Sequence, residues 1–316
     1  MTAVTARPAR RALNGVLVLD KPVGPSSTQA LSAAKRLFAA LKAGHGGTLD
    51  PMASGILPVL FGEATKFAQQ GLDADKTYVA TLALGQETDT GDAEGQVLSS
   101  QPVCVTRAEF ERVLTAQLGA QDQRPPMYSA LKHQGRPLYE YARAGQTVDK
   151  PARPIQIHGI ELLSFESPTA VIRVRCSKGT YIRVLAQTIG QQLGCGAHLA
   201  ALRRTGVGSL QIEQAISLDA LDAMALEDRE ACLLPVDALA GHWPTVVLSP
   251  AEANELSFGR SIVFEEERLA RVLAAAGCHS PDKFRLYDTE QHFLGTGQVI
   301  DHRLWPARLV AQPLFH

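Results

Sequence analysis

Residues 44–67 read GHGGTLDPMASGILPVLFGEATKF, and they decide how the rest of the sequence is interpreted. Three glycines in the first four positions allow the backbone to turn tightly and to approach another segment closely. His45 and Thr48 place hydrogen-bonding groups near the carboxylate of Asp50. The pair Asp50-Pro51 is also typical of a helix start, because Asp is a favoured N-cap and Pro a favoured first residue. We therefore expect a loop that presents a carboxylate in a cleft, with helix capping as an additional or alternative role.

Regular elements are predicted on both sides of this loop. The apolar run at 16–19 predicts a short buried strand, and the following pattern predicts a helix over about 28–41, capped by Ser27. Beyond the loop, an apolar stretch is followed by helix-forming residues. Alternating side chains at 76–85 predict a strand, which a wide acidic loop joins to 96–98 in a β-hairpin.

The middle of the chain predicts further elements around an irregular region. Residues 106–118 form an amphipathic helical pattern, whereas 124–153 are interrupted by several prolines and glycines. Strands are predicted at 155–163 and 170–177, and a helix is predicted from 181 to 193. These elements together predict a mixed α+β fold. The irregular region at about 124–153 is predicted to be a mobile or RNA-contacting insertion.

The length of 316 residues exceeds the usual size of a single domain. A break near residue 248 precedes a segment with several short strands. We therefore predict a large domain over 1–248 and a compact β-rich domain over 249–316.

Charge is segregated along the chain, although the net charge is only −1. Residues 1–210 contain 23 Lys/Arg and 16 Asp/Glu, whereas residues 211–316 contain 8 and 16. The excess of cations is greatest over 124–210, where 12 Lys/Arg stand against 4 Asp/Glu. This distribution favours one face that meets a polyanion, with a solvated charged surface as the alternative.

The cysteine pattern and the N-terminus predict a reduced, cytoplasmic protein. Five cysteines are scattered without a C-x-x-C pair, so neither a zinc ribbon nor a thioredoxin-like motif is expected. The basic N-terminus lacks the apolar core of a signal peptide, because Asp20 and Lys21 interrupt the first apolar run. No stretch of 18 apolar residues occurs, so we expect no membrane span.

Residues 44–67 are one of five segments whose motifs stand in the order found in one known family. The others are GVLVLDKPVGPSS (15–27), KTYVATLALGQETDTGDAEG (76–95), RPPMYSALKHQGRPLYEYARAG (124–145), and SKGTYIRVLAQTIGQQLG with AHLAALRRTGVG (177–208). Together they resemble the TruB family of tRNA pseudouridine synthases. The resemblance implies a largely antiparallel mixed sheet flanked by helices. It also implies a small PUA-like RNA-binding domain at the C-terminus.

The resemblance implies that Asp50 is the nucleophile of an enzyme that isomerises uridine to pseudouridine. This reaction needs no redox step, metal or cofactor. A carboxylate can act at the ribose C1′, at C6 of the uracil, or by stabilising an electron-deficient sugar, and the sequence leaves these routes open. The resemblance also implies that Arg183 is the charge partner of Asp50.

The implied substrate is the T-arm uridine at nucleotide 55 of tRNA, which the enzyme must extrude from the folded RNA. By resemblance, Tyr78 stacks on this base, His45 occupies the space that the nucleotide leaves, and Leu202 lines the pocket. Lys21 and Tyr181 are expected to support the pocket. A monomer that acts without a guide RNA is expected.

Other functions remain open at this stage. A uridine methyltransferase would attack C6 with a cysteine, but Gly194-Cys195-Gly196 follows a predicted helix, where C-cap glycines explain the pattern. The acidic loop 87–94 lacks the spacing of an EF-hand, so a solvated hairpin loop is favoured over a calcium site. A non-catalytic RNA-binding protein, in which Asp50 only caps a helix, and a guide-RNA-dependent relative are the remaining alternatives.

Overall fold

The structure is a computed structural model, and it describes residues 9–129, 131–146, 148–276 and 283–311. Within these ranges the strands are β1 (Gly15–Lys21), β2 (Ala43–His45), β3 (Ala53–Phe61), β4 (Lys76–Leu84), β5 (Gln86–Thr88), β6 (Val97–Ser100), β7 (Gly119–Gln123), β8 (Lys132–His133), β9 (Arg136–Pro137), β10 (Arg153–Glu166), β11 (Thr169–Cys176), β12 (Ala197–Val207), β13 (Leu210–Gln211), β14 (Ile216–Ser217), β15 (Thr245–Val247), β16 (Ile262–Val263), β17 (Lys283–Tyr287), β18 (Phe293–Ile300) and β19 (Arg303–Leu309).

The helices in the same ranges are α1 (Ser27–Leu37), α2 (Ala68–Asp73), α3 (Arg107–Thr115), α4 (Leu138–Arg143), α5 (Ile182–Gln192), α6 (Leu218–Ala223), α7 (Leu226–Glu230), α8 (Pro250–Ser257) and α9 (Glu266–Ala276). Short 3₁₀ segments lie at Gly62–Phe67, Ile212–Gln214 and Ala238–Ala240. None of the described helices has the length and apolar character needed to cross a membrane.

Strands from distant parts of the chain form one large sheet in the order β14-β1-β3-β12-β4-β11-β10-β7. β2 is added to β3, and β13 is added to β12. The pairs β1–β14 and β3–β12 are parallel, whereas the other pairs are antiparallel. The predicted fold class, a mixed and largely antiparallel sheet flanked by helices, is confirmed.

The first strand, β1, is buried on both faces. Leu17 and Leu19 pack with Phe61 on the face that α1 covers, whereas Val16 and Val18 belong to the core on the opposite face. Burial on two sides explains why this strand is continuously apolar instead of alternating. Truncating such a leucine to Ala is expected to lower the free energy of unfolding by about 2–5 kcal/mol.

The segment after Asp50-Pro51 is a strand, so the predicted helix-capping role of Asp50 is wrong. The chain makes one turn and enters β3, which lies between β1 and β12 in the large sheet. Only the end of the segment, Gly62–Phe67, is helical, and it is a 3₁₀ segment. Pairing with two neighbouring strands satisfies the backbone of β3 on both edges, which outweighs the local preference of Asp-Pro for a helix start.

Two other predictions need correction. The strand at 76–85 does not form a hairpin with 96–98, because β4 pairs with β11 and β12 while β6 pairs with the short β5. The first helix is capped by Ser26 instead of Ser27: the Ser26 side chain accepts the N–H of Gln29, whose side chain accepts the N–H of Ser26. The other predicted helices and strands of the large domain are present with shifted ends.

The C-terminal segment forms a second sheet in the order β15-β17-β18-β19-β16. Helices α8 and α9 supply side chains to its core, which includes the buried Leu256, Phe264 and Phe284. This arrangement confirms a β-rich C-terminal domain. The boundary at residue 248 stays a prediction, and the first strand of this sheet begins at Thr245.

A buried carboxylate links the segment between the two sheets to β17. Asp237, only 3% exposed, accepts hydrogen bonds from Arg285 Nη1 at 2.9 Å and from the Tyr287 hydroxyl at 2.5 Å. Burial, together with the neighbouring carboxylate, raises the pKa of Tyr287 to about 12, so its hydroxyl remains a donor at neutral pH. Phe67 and Phe293 stack edge to face nearby, with ring centroids 5.4 Å apart.

Candidate active site

Asp50 lies in the connection between β2 and β3, near the centre of the large sheet. The Ser27 hydroxyl accepts the N–H of Leu49 at 2.7 Å and donates to the Leu49 carbonyl at 2.9 Å. The N–H of Ala53 donates to the Asp50 carbonyl at 3.1 Å, which closes the turn into β3. The Asp50 side chain is 44% exposed. The backbone of the loop is therefore fixed from α1 while the carboxylate stays accessible.

Arg183 meets Asp50 from a segment more than 130 residues away, as predicted. Its Nη2 lies 3.0 Å from Asp50 Oδ2 and donates to the Tyr128 carbonyl at 2.7 Å. Its Nη1 donates to the Thr90 carbonyl at 3.1 Å and lies 3.4 Å from Asp92 Oδ2. The Arg183 side chain is only 6% exposed. A guanidinium held by three other acceptors presents a fixed donor to the Asp50 carboxylate.

Asp92 is a member of this site that the sequence interpretation missed. The loop that contains it was expected to be solvated, but its side chain is 6% exposed and ion-paired with Arg183. The Thr90 hydroxyl donates to its carboxylate at 2.6 Å, and the N–H of Glu94 donates at 3.1 Å. Local bonds of this kind are typical of a folded Asx turn, so the Thr-Gly-Asp spacing was the available signal.

Arg204 is a second residue that the sequence interpretation did not single out. It is 1% exposed and lies on β12 directly opposite Tyr78 on β4. Its Nε donates to the Ile56 carbonyl at 2.8 Å, and Nη1 donates to the Thr48 carbonyl at 3.1 Å. Arg203 precedes it and pairs with Asp20. Because neighbouring strand residues point to opposite faces, two consecutive arginines indicate that one of them faces inward.

Tyr78 and Leu202 lie on the face of the sheet whose core includes α5. Leu202 is opposite Ala80 on β4 and Ala53 on β3, so its side chain shares a face with Tyr78. Burial raises the pKa of Tyr78, and this keeps its hydroxyl protonated at neutral pH. An aromatic ring and an aliphatic side chain therefore stand close to the start of β3, three residues after the nucleophile candidate.

His45 lies on β2 opposite Val59, at the entrance of the loop. Its Nδ1 is buried and forms no hydrogen bond with any described residue. Burial, and secondarily the positive charge of Arg204, lowers the pKa of His45, so the imidazole is neutral at pH 7. His45 therefore places an uncharged, polar ring at the entrance of the Asp50 loop.

Lys21 is fully buried at the end of β1, where it donates hydrogen bonds to the turn that follows this strand. Its Nζ donates to two carbonyls of the following turn at 2.8 and 2.9 Å. The same turn reaches the site, because the N–H of Gly24 donates to the Pro51 carbonyl at 2.8 Å. Burial lowers the pKa of Lys21, while the charge of Asp50 raises it and that of Arg204 lowers it.

Tyr181 immediately precedes α5 and fixes the approach of Arg183. Its N–H donates to the Gln123 side chain at 2.7 Å, and the same amide donates back to the Tyr181 carbonyl at 3.1 Å. Burial raises the pKa of Tyr181, and Asp50 is among the charges that act on it. The two-point contact sets where α5 begins and therefore where Arg183 stands.

The assembled site has a geometry that can support nucleophilic catalysis. Asp50 offers an accessible carboxylate oriented by a buried guanidinium. Tyr78 and Leu202 are partly buried and pack against the core on the same face of the sheet. The arrangement can hold an ionised carboxylate against an electrophilic carbon, or beside a sugar that becomes electron-deficient.

Three family models match successive parts of the chain. Residues 35–182 match the TruB family pseudouridylate synthase (N terminal domain), and residues 183–240 match the tRNA pseudouridylate synthase B C-terminal domain. Residues 244–310 match a model described as pseudouridine synthase II TruB, C-terminal. The last match covers the five strands of the second sheet.

Curated relatives and solved structures are similar over nearly the whole chain. A Burkholderia mallei protein named tRNA pseudouridine synthase B is 53% identical over 98% of this chain and 99% of its own length. A protein of the same name from Azoarcus sp. is 51% identical over 96% of each chain. A chain in the crystal structure of a Cbf5-Nop10-Gar1 complex is 27% identical, with a TM-score of 0.67 over 90% of this chain and 78% of that chain.

Proposed function

Because the chain belongs to the TruB family of pseudouridylate synthases, we propose that it isomerises uridine to pseudouridine in tRNA with Asp50 as the nucleophile. The observation that supports this role is the 3.0 Å contact between Arg183 and a carboxylate that is still 44% exposed. Burial of the arginine and exposure of the aspartate leave the carboxylate both oriented and accessible.

The reaction rearranges one nucleoside without any other reactant. The bond between N1 of uracil and C1′ of ribose breaks, the base turns, and C5 bonds to C1′. The proton lost from C5 is balanced by the proton gained at N1. Asp50 attacks C1′ or C6, or it stabilises the sugar from which the base has left. In each route the carboxylate must be ionised, which is the form that Arg183 binds.

The remaining pocket residues are proposed to hold an extruded base. Extrusion from folded RNA costs a few kcal/mol, and aromatic stacking returns about 1–3 kcal/mol. Tyr78 is proposed to stack on the uracil, Leu202 to line the pocket, and His45 to fill the space that the nucleotide leaves. Lys21 and Tyr181 are proposed to support the pocket, consistent with their hydrogen bonds to the surrounding backbone.

The proposed substrate site is nucleotide 55 in the T-arm of tRNA, bound without a guide RNA. The curated relatives at 51–53% identity are named as tRNA enzymes, whereas the Cbf5 complex is more distant at 27%. The insertion at 124–153 contains the small hairpin β8–β9 and α4, and the Tyr128 carbonyl at its base contacts Arg183. We propose that this insertion contacts the RNA and that the enzyme acts as a cytoplasmic monomer. An assay of pseudouridine formation in an isolated T-arm stem-loop tests this proposal, because conversion without other RNA or protein would show that no guide is needed.

The charge distribution of the second sheet supports an RNA-binding role for the C-terminal domain. Residues 211–316 carry a net negative charge, but strands β15 to β19 contain four cations and no carboxylate. Within the described residues of this domain, the acidic side chains lie on α8, on α9 and in the connections between elements. Phosphate contacts from such a sheet would make tRNA affinity depend strongly on salt concentration.

Replacing Asp50 by Asn tests the proposed function directly. The carboxamide keeps the shape of the side chain but cannot act as a nucleophile, so we expect pseudouridine formation to fall by roughly 10⁴-fold or more. Binding of tRNA should remain near the wild-type level. The measurement is mass spectrometry of tRNA incubated with each protein. D301N, in the exposed turn between β18 and β19, is a matched control that should convert tRNA normally. Conversion by D50N at the wild-type rate would exclude Asp50 as the nucleophile.

A further inference from the structure

Arg204 is a buried cation without a carboxylate partner among the described residues. Its side chain is 1% exposed, and none of the ion pairs found within the described ranges includes it. Removing a charge from water is expensive unless an opposite charge or several hydrogen bonds compensate it. The groups that Arg204 does contact should therefore explain why an arginine stands there.

The contacts of Arg204 connect the two groups that the proposed reaction must bring together. Nη1 and Nη2 point to the carbonyls of Thr48 and Gly47, at 3.1 and 3.5 Å, in the loop that leads to Asp50. Tyr78 lies directly across from Arg204 on the neighbouring strand β4, and the charge of the guanidinium acts on the Tyr78 hydroxyl. One rigid, planar group thus contacts the nucleophile loop and lies beside the proposed stacking ring.

The backbones of β3 and β12 lie very close together at Gly55, which is where Arg204 reaches the Asp50 loop. Gly55 is paired with Arg204 across the two strands and has φ of +99°, where side chains are rarely accommodated. A Cβ atom at this position would lie 2.2 Å from the Arg204 carbonyl oxygen. The backbone of Arg204 therefore lies directly against β3, and its Nε donates to the Ile56 carbonyl in the same strand at 2.8 Å.

We propose that Arg204 is a positioning residue that sets the placement of the Tyr78 ring relative to Asp50, and that it controls the rate of the chemical step more than tRNA affinity. This inference rests on the proposed function. The guanidinium donates to the Thr48 carbonyl, and the backbone of Arg204 is paired with Tyr78 across the two strands, so a shift of Arg204 displaces the loop and the ring together. Lysine would supply the charge but not the planar set of donors.

The first test compares R204K with R268K. Arg268 also donates to a backbone carbonyl, that of Val247, but it lies on α9 far from Asp50 in the chain. We expect R204K to lower kcat by roughly 10- to 100-fold, because small misplacements of reacting groups have effects of this size. KM for tRNA should stay within about threefold of the wild-type value, because the contacts that bind tRNA in the ground state are unchanged. R268K should retain wild-type kcat, and wild-type kcat in R204K would overturn the proposal.

A double-mutant cycle with Y78F separates positioning from simple support of the fold. Y78F keeps the ring and removes the hydroxyl on which the charge of Arg204 acts. If Arg204 acts through Tyr78, the kcat of R204K/Y78F should lie within about twofold of the lower single variant, because coupled residues are not additive. Fully multiplicative losses would show independent effects and overturn the proposal.

Thermal unfolding of every variant completes the experiment. Should R204K fail to fold, Y78F alone decides: lowered kcat with an unchanged melting temperature supports the proposal, and wild-type kcat overturns it. D50N and the wild-type enzyme in the same assay keep the two hypotheses apart. An inactive D50N beside a fully active R204K contradicts only the role of Arg204, whereas an active D50N contradicts the proposed function itself.

Discussion

The buried cations of the large domain are held in two different ways. Arg183 is bound by two carboxylates, Asp50 and Asp92, at 3.0 and 3.4 Å. Lys21, Lys76 and Arg204 form a carbonyl-held cluster, since their hydrogen bonds go to main-chain oxygens. Burial is the largest influence on the pKa of each member of the carbonyl-held cluster, and it lowers all three.

This difference separates a chemical role from a structural one. Arg183 orients the carboxylates of Asp50 and Asp92, and the Asp50 carboxylate stays exposed. Cations bound to carbonyls fix the backbone, and they do so at the cost of burying charge. The Asp50 loop contacts both kinds of cation. The Asp50 carboxylate pairs with Arg183, and the Thr48 carbonyl accepts a hydrogen bond from Arg204.

The largest effect should come from R183K, which removes the bridge between the two carboxylates. A lysine ammonium is a single compact charge and cannot hold both carboxylates together with two carbonyls. We expect kcat for pseudouridine formation to fall by roughly 10²-fold or more, measured with tRNA under single-turnover conditions. R107K, at an exposed ion pair on α3, serves as the control and should be fully active. If R183K had normal kcat, the carboxylate-bound cation would have no larger role in catalysis than the carbonyl-held cations.

D92N should have a smaller effect on catalysis and a measurable effect on stability. It leaves Asp50 as the single carboxylate on Arg183, so the guanidinium is less firmly held. We expect the free energy of unfolding to fall by about 1–3 kcal/mol, by urea denaturation, and kcat to fall by roughly tenfold. E94Q, two residues along in the same loop, should change neither quantity. Equal stability of D92N and wild type would mean that Asp92 does not anchor Arg183.

The smallest effect concerns Lys76, whose Nζ donates to the carbonyls of Leu72 and Ala74 at 2.6 Å. Burial lowers the pKa of Lys76 to about 8. Between pH 8 and the ordinary lysine pKa, the unfolded chain therefore binds a proton that the native chain lacks, so raising the pH favours the native state. We expect the stability of wild type relative to K76M to rise by about 1–2 kcal/mol between pH 8 and 10.

Urea unfolding of both proteins at several pH values measures this difference. K132M replaces an exposed lysine of the small hairpin, and its difference from wild type should not depend on pH in this range. A constant difference for K76M as well would show that the carbonyls hold Lys76 fully protonated.

Local patterns predicted the elements whose structure depends on local contacts. The alternation in β10 and β11 and the amphipathic pattern of α5 gave the correct element types, with shifted ends. The hairpin prediction for β4 was wrong, because its polar connection resembles a hairpin loop while its true partners, β11 and β12, lie about 90 or more residues away. Strand pairing of this kind depends on which buried faces match, and a local window of sequence does not contain that information.

The sequence by itself indicated the family, because its motifs stand in order along the chain, and the resemblance predicted Asp50 as the nucleophile and Arg183 as its partner. The tertiary structure alone decided that Asp50 lies in a turn that leads into a strand, that Asp92 is buried beside Arg183, and that Arg204 is buried against the Asp50 loop. The physical reason is that burial and ion pairing depend on which distant segments share one desolvated volume, and this follows from the packing of the whole sheet.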